Sequence, residues 1–112
     1  MSGAGRLRRR LTLEARVAEP DGSGGFEAGW AALGLLWAEL EPLGGGESFA
    51  GGRPRPRQRY RIVVRGAPWG APSRPRADQR FREGPRVFDI LSVAETDGEG
   101  WFLEILAEEG AA

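Results

Sequence analysis

Residues 11–17, LTLEARV, alternate without a break: Leu11, Leu13, Ala15 and Val17 fall on one face, Thr12, Glu14 and Arg16 on the other. A period of two is that of a strand with one face on a core and one in water. PDGSGG, 20–25, follows and predicts a turn, because Pro20 and Asp21 suit its start and the glycines accept positive φ. Residues 33–40, LGLLWAEL, set Leu33, Leu35 and Trp37 on one side and Leu36, Ala38 and Leu40 on the other. A strand apolar on both faces must be covered on both. Ala, Leu and Glu would favour a helix through 26–41, but Gly29 and Gly34 weigh against it. The pattern therefore predicts a strand from about residue 33, with a short irregular or helical lead-in around Trp30.

Downstream, QRYRIVVR (58–65) sets Tyr60, Ile62 and Val64 opposite Arg59, Arg61 and Arg65, a further strand. GAPWGAPSRPRA (66–77) carries Pro68, Pro72 and Pro75 and cannot lie inside a sheet. DQRFRE and VFDILSVAE predict a hairpin turning at 83–86; TDGEG (96–100) is a turn, and WFLEILAE (101–108) a closing strand. The stretch 44–58, with Gly44, Gly45, Gly46, Gly51, Gly52, Pro54 and Pro56 among arginines, has neither period and reads as a long loop. About six short strands joined by turns predict an all-β fold, a small antiparallel barrel whose closure removes exposed edges. Residues 1–10 and 109–112 read as flexible termini.

At 112 residues the chain is one domain, 1–112, small enough that a partner often helps to stabilise such a fold. It has no Cys and no His, which excludes disulfides, thiolate chemistry, Cys/His metal sites and imidazole bases. Ser23, Ser48, Ser73 and Ser92 have no Lys or His to activate them, Glu108 and Glu109 sit in a polar tail, and the glycine runs lack the lysine of a phosphate loop. The reading is of a protein that is not an enzyme and takes no cofactor or metal. No segment approaches the apolar length of a membrane span, and the basic start has no apolar run after it, so neither membrane nor signal peptide is expected.

Formal net charge is zero, but the charges are segregated. All 16 bases are arginine, and 11 of them lie between Arg53 and Arg86, where the only acids are Asp78 and Glu83; after Arg86 there are seven acids and no base. Codon bias explains Arg over Lys, not the clustering. RPRPRQRYR and RFREGPRVF join basic and aromatic residues as single-strand-binding barrels do. Tyr60 and Phe81, however, share the inward parity of their strands, and Trp69, between Pro68 and Gly70, is the more accessible aromatic unless it folds over an open end of the barrel.

From about Leu11 to Glu108 the sequence resembles the phage head-tail joining family, the head-closure or stopper proteins of tailed phages and gene transfer agents. The residues that carry the resemblance are Gly24 and Gly25, Trp30, the Trp37-Ala38 pair, and Gly46 with Glu47. They continue with Ile62, Val63, Val64 and Arg65, then Gly84, Phe88, Ile90 and Val93, and a last strand from Trp101 to Leu106. The segments 44–57 and 66–77 are richer in Arg and Pro than the family pattern, so loop contacts are not transferred in detail. The resemblance implies a β-barrel that assembles as a homo-oligomeric ring of about twelve copies. Such a ring sits below the portal or adaptor ring and above tail terminator or tail tube proteins; it closes the channel on packaged double-stranded DNA and offers the tail a docking surface. The location implied is the neck of a virion or phage-like particle, with assembly in the bacterial cytoplasm.

On that reading 44–59 is the DNA-facing or gating loop, with Glu47, Phe49, Arg53, Arg55, Arg57 and Arg59 as its residues, holding phosphate mainly by charge. Its competitor is a solvent-side loop that orders on docking. Trp30, Trp37, Trp69, Arg74 and Arg76 are candidate subunit or docking contacts, and the Arg-rich middle is expected to meet the acidic last third of a neighbouring subunit. A tail-completion or adaptor role in the same neck, and a free-standing nucleic-acid-binding barrel, are the alternative readings.

Overall fold

The computed structural model describes residues 7–50, 53–96 and 98–110. They form β1 (Arg9–Pro20), β2 (Phe26–Ala50), β3 (Arg53–Arg65), β4 (Arg80–Glu83), β5 (Arg86–Glu95) and β6 (Phe102–Gly110). Every pairing is antiparallel, and the sheet closes in the order β1-β2-β3-β6-β5-β4, the small barrel that the alternation predicts. Inward positions fill it: Leu11 and Leu13, Ala38, Ile62 and Val64, Phe81, Phe88 and Ile90, then Leu103, Ile105 and Ala107 are all buried. Tyr60 and Phe81 belong to this interior, as their parity requires; Tyr60 meets Phe88 edge to face at 5.3 Å.

β2 departs most from expectation. It starts at Phe26 and not near residue 33, because β1 runs on to Pro20 and supplies a ladder partner for each residue of the expected lead-in: Trp30 lies opposite Arg16, Gly29 opposite Val17. It also continues through the segment expected as a loop. Gly44 pairs with Arg59, Glu47 with Pro56 and Ala50 with Arg53, so 44–50 and 53–58 are the two arms of a projecting hairpin. Prolines fit a strand only where the missing N–H faces an unpaired edge. Pro54 and Pro56 share one parity, and among the described residues β6 pairs with β3 only from Arg57 onward, which leaves such an edge beside them. At the termini, Arg9 and Arg10 belong to β1 and Glu109 and Gly110 to β6, because barrel neighbours engage them.

A straight strand of 25 residues would reach roughly 80 Å at about 3.3 Å per residue. The molecule's longest extent is 49 Å, so β2 must curve. Two of the three register shifts lie on it, leaving Leu33 and Leu43 as extra residues, and the third leaves Leu91 on β5. Bulges bend and twist a strand, and all three leucines end up exposed outside the barrel. Gly34 (φ 153°) and Gly44 (φ 129°), each next to a bulged leucine, take conformations that a side chain would resist.

β2 is thus shared. Its first half pairs with β1 and its second with β3, and the two hairpins leave the barrel in opposite directions along it. Between β3 and β4, residues 66–79 pack against one end of the barrel with Arg74 and Pro75 buried. Gly66 donates to the Trp101 carbonyl at 2.8 Å, and a Cβ there would stand 1.6 Å from the Gly100 oxygen.

Candidate assembly and nucleic-acid surfaces

The segregated charges meet within one chain. Because β3 and β6 are adjacent, outward arginines of β3 face outward carboxylates of β6. Arg57 reaches Glu108 (3.2 Å) and Asp89 (3.0 Å), Arg59 shares Glu108 (3.3 Å), and Arg61 spans Glu104 (3.2 Å) and Glu41 (3.3 Å). The contact expected between subunits is therefore made inside the barrel wall, since sequence segregation becomes spatial adjacency when the segregated segments pair. Two arginines of the candidate DNA-facing set, Arg57 and Arg59, are already partnered. Arg53 and Arg55 lie farther out on the hairpin; their side chains, with those of Glu47 and Phe49, are outside the described residues, and only the backbone register is defined.

At the other end of that hairpin an inward-parity cluster closes the barrel. Arg86 donates Nε to Glu109 Oε2 (2.8 Å) and Nη2 to Glu109 Oε1 (2.9 Å), and also donates to the Tyr60 hydroxyl (3.1 Å). Its guanidinium stands 5.0 Å from the Phe88 ring centroid, so one fork caps the core aromatics and holds a carboxylate. Glu109 titrates below its ordinary 4.5 chiefly through its hydrogen bond from Arg86, against the opposing effect of burial, and Arg86 is correspondingly raised. Glu83, bound by Arg9, is lowered for the same reason.

The outer face of β2 stays uncovered by the described residues. Leu35 is 65% and Trp37 54% exposed, while Leu36 and Leu40 of the same strand pack on the core. Arg10 lies over Trp37 at 5.6 Å. Beside this row is an apolar cleft of about 260 Å³ bounded by Leu35, Trp37, Arg65, Ala67 and Ser73. Arg65 also borders a second cleft with Trp101, so the row and Trp101 belong to one surface.

The other candidate contacts divide. Trp30 is half-buried beneath Arg80 (4.0 Å) and Arg16 (5.1 Å), with Arg80 tied to Glu14 at 2.7 Å. It is a packed element of the β1–β2 arm. Trp69 is exposed and so does not fold over the barrel, while Arg74 and Pro75 of the same loop are buried; Arg74 stacks on Trp69 at 3.8 Å and donates to the Ala67 carbonyl at 2.9 Å. Arg74 is thus a structural tie and Arg76 an exposed turn residue whose N–H donates to Gln79 at 3.0 Å. The candidate contacts read from the sequence leave out Arg65, which follows Val64 at the end of β3, and Phe26, the large apolar residue directly after the PDGSGG turn.

Among known proteins, the family model for the phage head completion protein matches residues 3–110. A chain of the virion of a native gene transfer agent particle is 45% identical and superposes with a TM-score of 0.79, covering 93% of this chain and 94% of that one. A protein from Shigella flexneri 2a, known from its solution structure, is 26% identical with a TM-score of 0.65, covering 98% of both chains. No curated protein matches.

Proposed function

The chain belongs to the phage head completion protein family, and we propose that it is a head-closure ring subunit between the portal or adaptor ring and the tail of a phage or gene transfer particle. Its role is structural in the particle and not catalytic. The observation that carries the reading is the match along residues 3–110 together with the likeness to a virion chain at 45% identity. Two features of the fold support it. The apolar row Leu33, Leu35 and Trp37 has no cover among the described residues and calls for an assembly partner. The β2–β3 hairpin projects from the wall with Arg53 and Arg55 beyond the reach of the β6 pairing.

In a ring of identical subunits the same hairpin recurs on every copy. Turned to the axis, it presents arginine to packaged double-stranded DNA without reading sequence, which restrains the duplex and still allows release. Internal pairing of Arg57 and Arg59 leaves Arg53 and Arg55 as the residues of this role. The surface beside Trp69 and Trp101 is the docking face for a neighbouring ring or for the tail.

Cryo-electron microscopy of particles carrying this protein tests the reading. A ring of this barrel in the neck, with 44–58 lining the channel, is the expected result. Intact particles whose neck lacks the barrel would overturn it, and a ring on the tail side would convert it to a tail-completion role.

A further inference from the structure

Between Arg16 and Arg53 the chain carries six acids, Glu19, Asp21, Glu27, Glu39, Glu41 and Glu47, and no base. Three of them, Glu19, Asp21 and Glu27, sit at the tip of the β1–β2 hairpin. Asp21 is used locally, accepting the N–H groups of Ser23 (2.8 Å) and Gly25 (3.1 Å) to fix the turn. Glu27 has no ion partner among the described residues. Next to it stands Phe26, 71% exposed, with its backbone held opposite Pro20. The tip is therefore an acidic arm ending in an aromatic ring that none of the described residues covers.

The complementary surface is the cleft beside β2. Its floor is apolar, from Leu35, Trp37 and Ala67, and at its rim Arg65 has no ion partner among the described residues. Phe26 and Trp37 lie on the same strand, separated by a contour of roughly 36 Å at about 3.3 Å per residue. An arm cannot reach the cleft of its own barrel, so knob and hole are displaced on one molecule, which is the geometry of a head-to-tail contact.

We infer that the subunits join through this contact: the arm tip of one copy enters the cleft of the next end-on, with Phe26 on one face of the arm against Leu35 and Trp37 and Glu27 on the opposite face paired with that copy's Arg65. The inference rests on the ring reading above and specifies its interface. The occupant is a second copy because Arg65 and the apolar floor of the cleft complement the Glu27 carboxylate and the exposed Phe26 ring that this chain presents. An aromatic anchor in an apolar pocket supplies affinity, and the peripheral charge pair sets orientation.

Cysteine pairing in assembled particles tests it, since the chain has no Cys to give background. Particles built with the E27C/S73C double variant are oxidised and run on a non-reducing gel, beside E27C and S73C alone. The expected result is a ladder of multimers in the double variant and none in either single variant. On that background F26A should cut cross-linking at least about tenfold, because it removes the ring that seats the arm in the cleft. In the charge-swap series, read by association of the purified chain, E27R and R65E each weaken self-association and E27R/R65E restores it, with thermal melts showing that each variant folds. A neck ring without the ladder overturns this contact and leaves the ring reading standing; a neck without a ring overturns both. Trapping of S73C on a different neck protein would assign the cleft to that neighbour instead.

Discussion

Glu109→Gln isolates what the barrel-end cluster contributes. The substitution keeps the shape of the side chain and removes the charge that Arg86 holds through bonds of 2.8 and 2.9 Å. The two side chains are 20% and 37% exposed, so the pair is desolvated on the Glu109 side and partly wet on the Arg86 side. A hydrogen bond to a charged group contributes about 1.5–3 kcal/mol when buried, and water replaces part of that at an exposed guanidinium. The expected loss is about 1–2 kcal/mol, which for a domain of this size lowers Tm by roughly 4–10 °C. The Glu109 carboxyl is held below 4.5 in the folded protein, so its contribution is complete above the unfolded value and disappears as pH falls through the folded one. Glu83 adds a second contribution of the same sign through Arg9. Urea titrations of the parent and of E109Q from pH 7 to pH 3 should show a gap that is widest near neutrality and closes in acid. In a double-mutant cycle with Arg86→Met, the coupling at pH 7 should be about 1 kcal/mol. A gap that is the same at pH 3 and pH 7, or a coupling below about 0.3 kcal/mol, would refute the assignment.

Three further outcomes are expected. Phe81→Ala, which empties a fully buried ring site, should cost about 3–5 kcal/mol by urea midpoint, a large share of the stability of a domain this small. Gly66→Ala should destabilise by at least about 2 kcal/mol in thermal melts, because its Cβ would meet the Gly100 carbonyl oxygen at 1.6 Å and the two segments must part. Arg53→Ala with Arg55→Ala should leave the melting curve within about 0.5 kcal/mol of the parent and increase DNA loss from particles at raised salt, whereas Arg57→Ala should reduce stability by about 1 kcal/mol by removing its pairs with Glu108 and Asp89.

Strand identity was legible wherever one face meets the core. Leu11 and Leu13, Ile62 and Val64, Leu103 and Ile105 alternate in sequence and line the interior in the barrel. The two-sided pattern at 33–40 also foretold an uncovered face, and Leu35 and Trp37 are that face. The projecting arms were not legible, because their strands are held by ladder bonds and not by burial. Gly44 to Gly46, Pro54 and Pro56 carry low strand propensity, yet cross-strand pairing overrides it; the Gly51-Gly52 pair between two runs was the signal for a hairpin. The bulges at Leu33, Leu43 and Leu91 leave no mark in a period-two count, since each only shifts the register. Nor did the charge pattern reveal that Arg57 and Glu108 are neighbours, which depends on β3 lying beside β6. The acid-only stretch from 17 to 52 was visible in the sequence, but it gained meaning only once Phe26 and Glu27 stood at the end of an arm.

β2 has a mechanical consequence. One unbroken peptide chain runs from the acidic arm, through the barrel wall, into the basic arm. A pull along one arm is carried by covalent bonds to the other and not passed through side-chain contacts. The ladders to β1 and β3 lie parallel to that load, so their hydrogen bonds resist in shear, many together, where a peeled strand would lose them one at a time. On the ring reading proposed above, each subunit would carry a tension member from its neighbour contact to the basic arm.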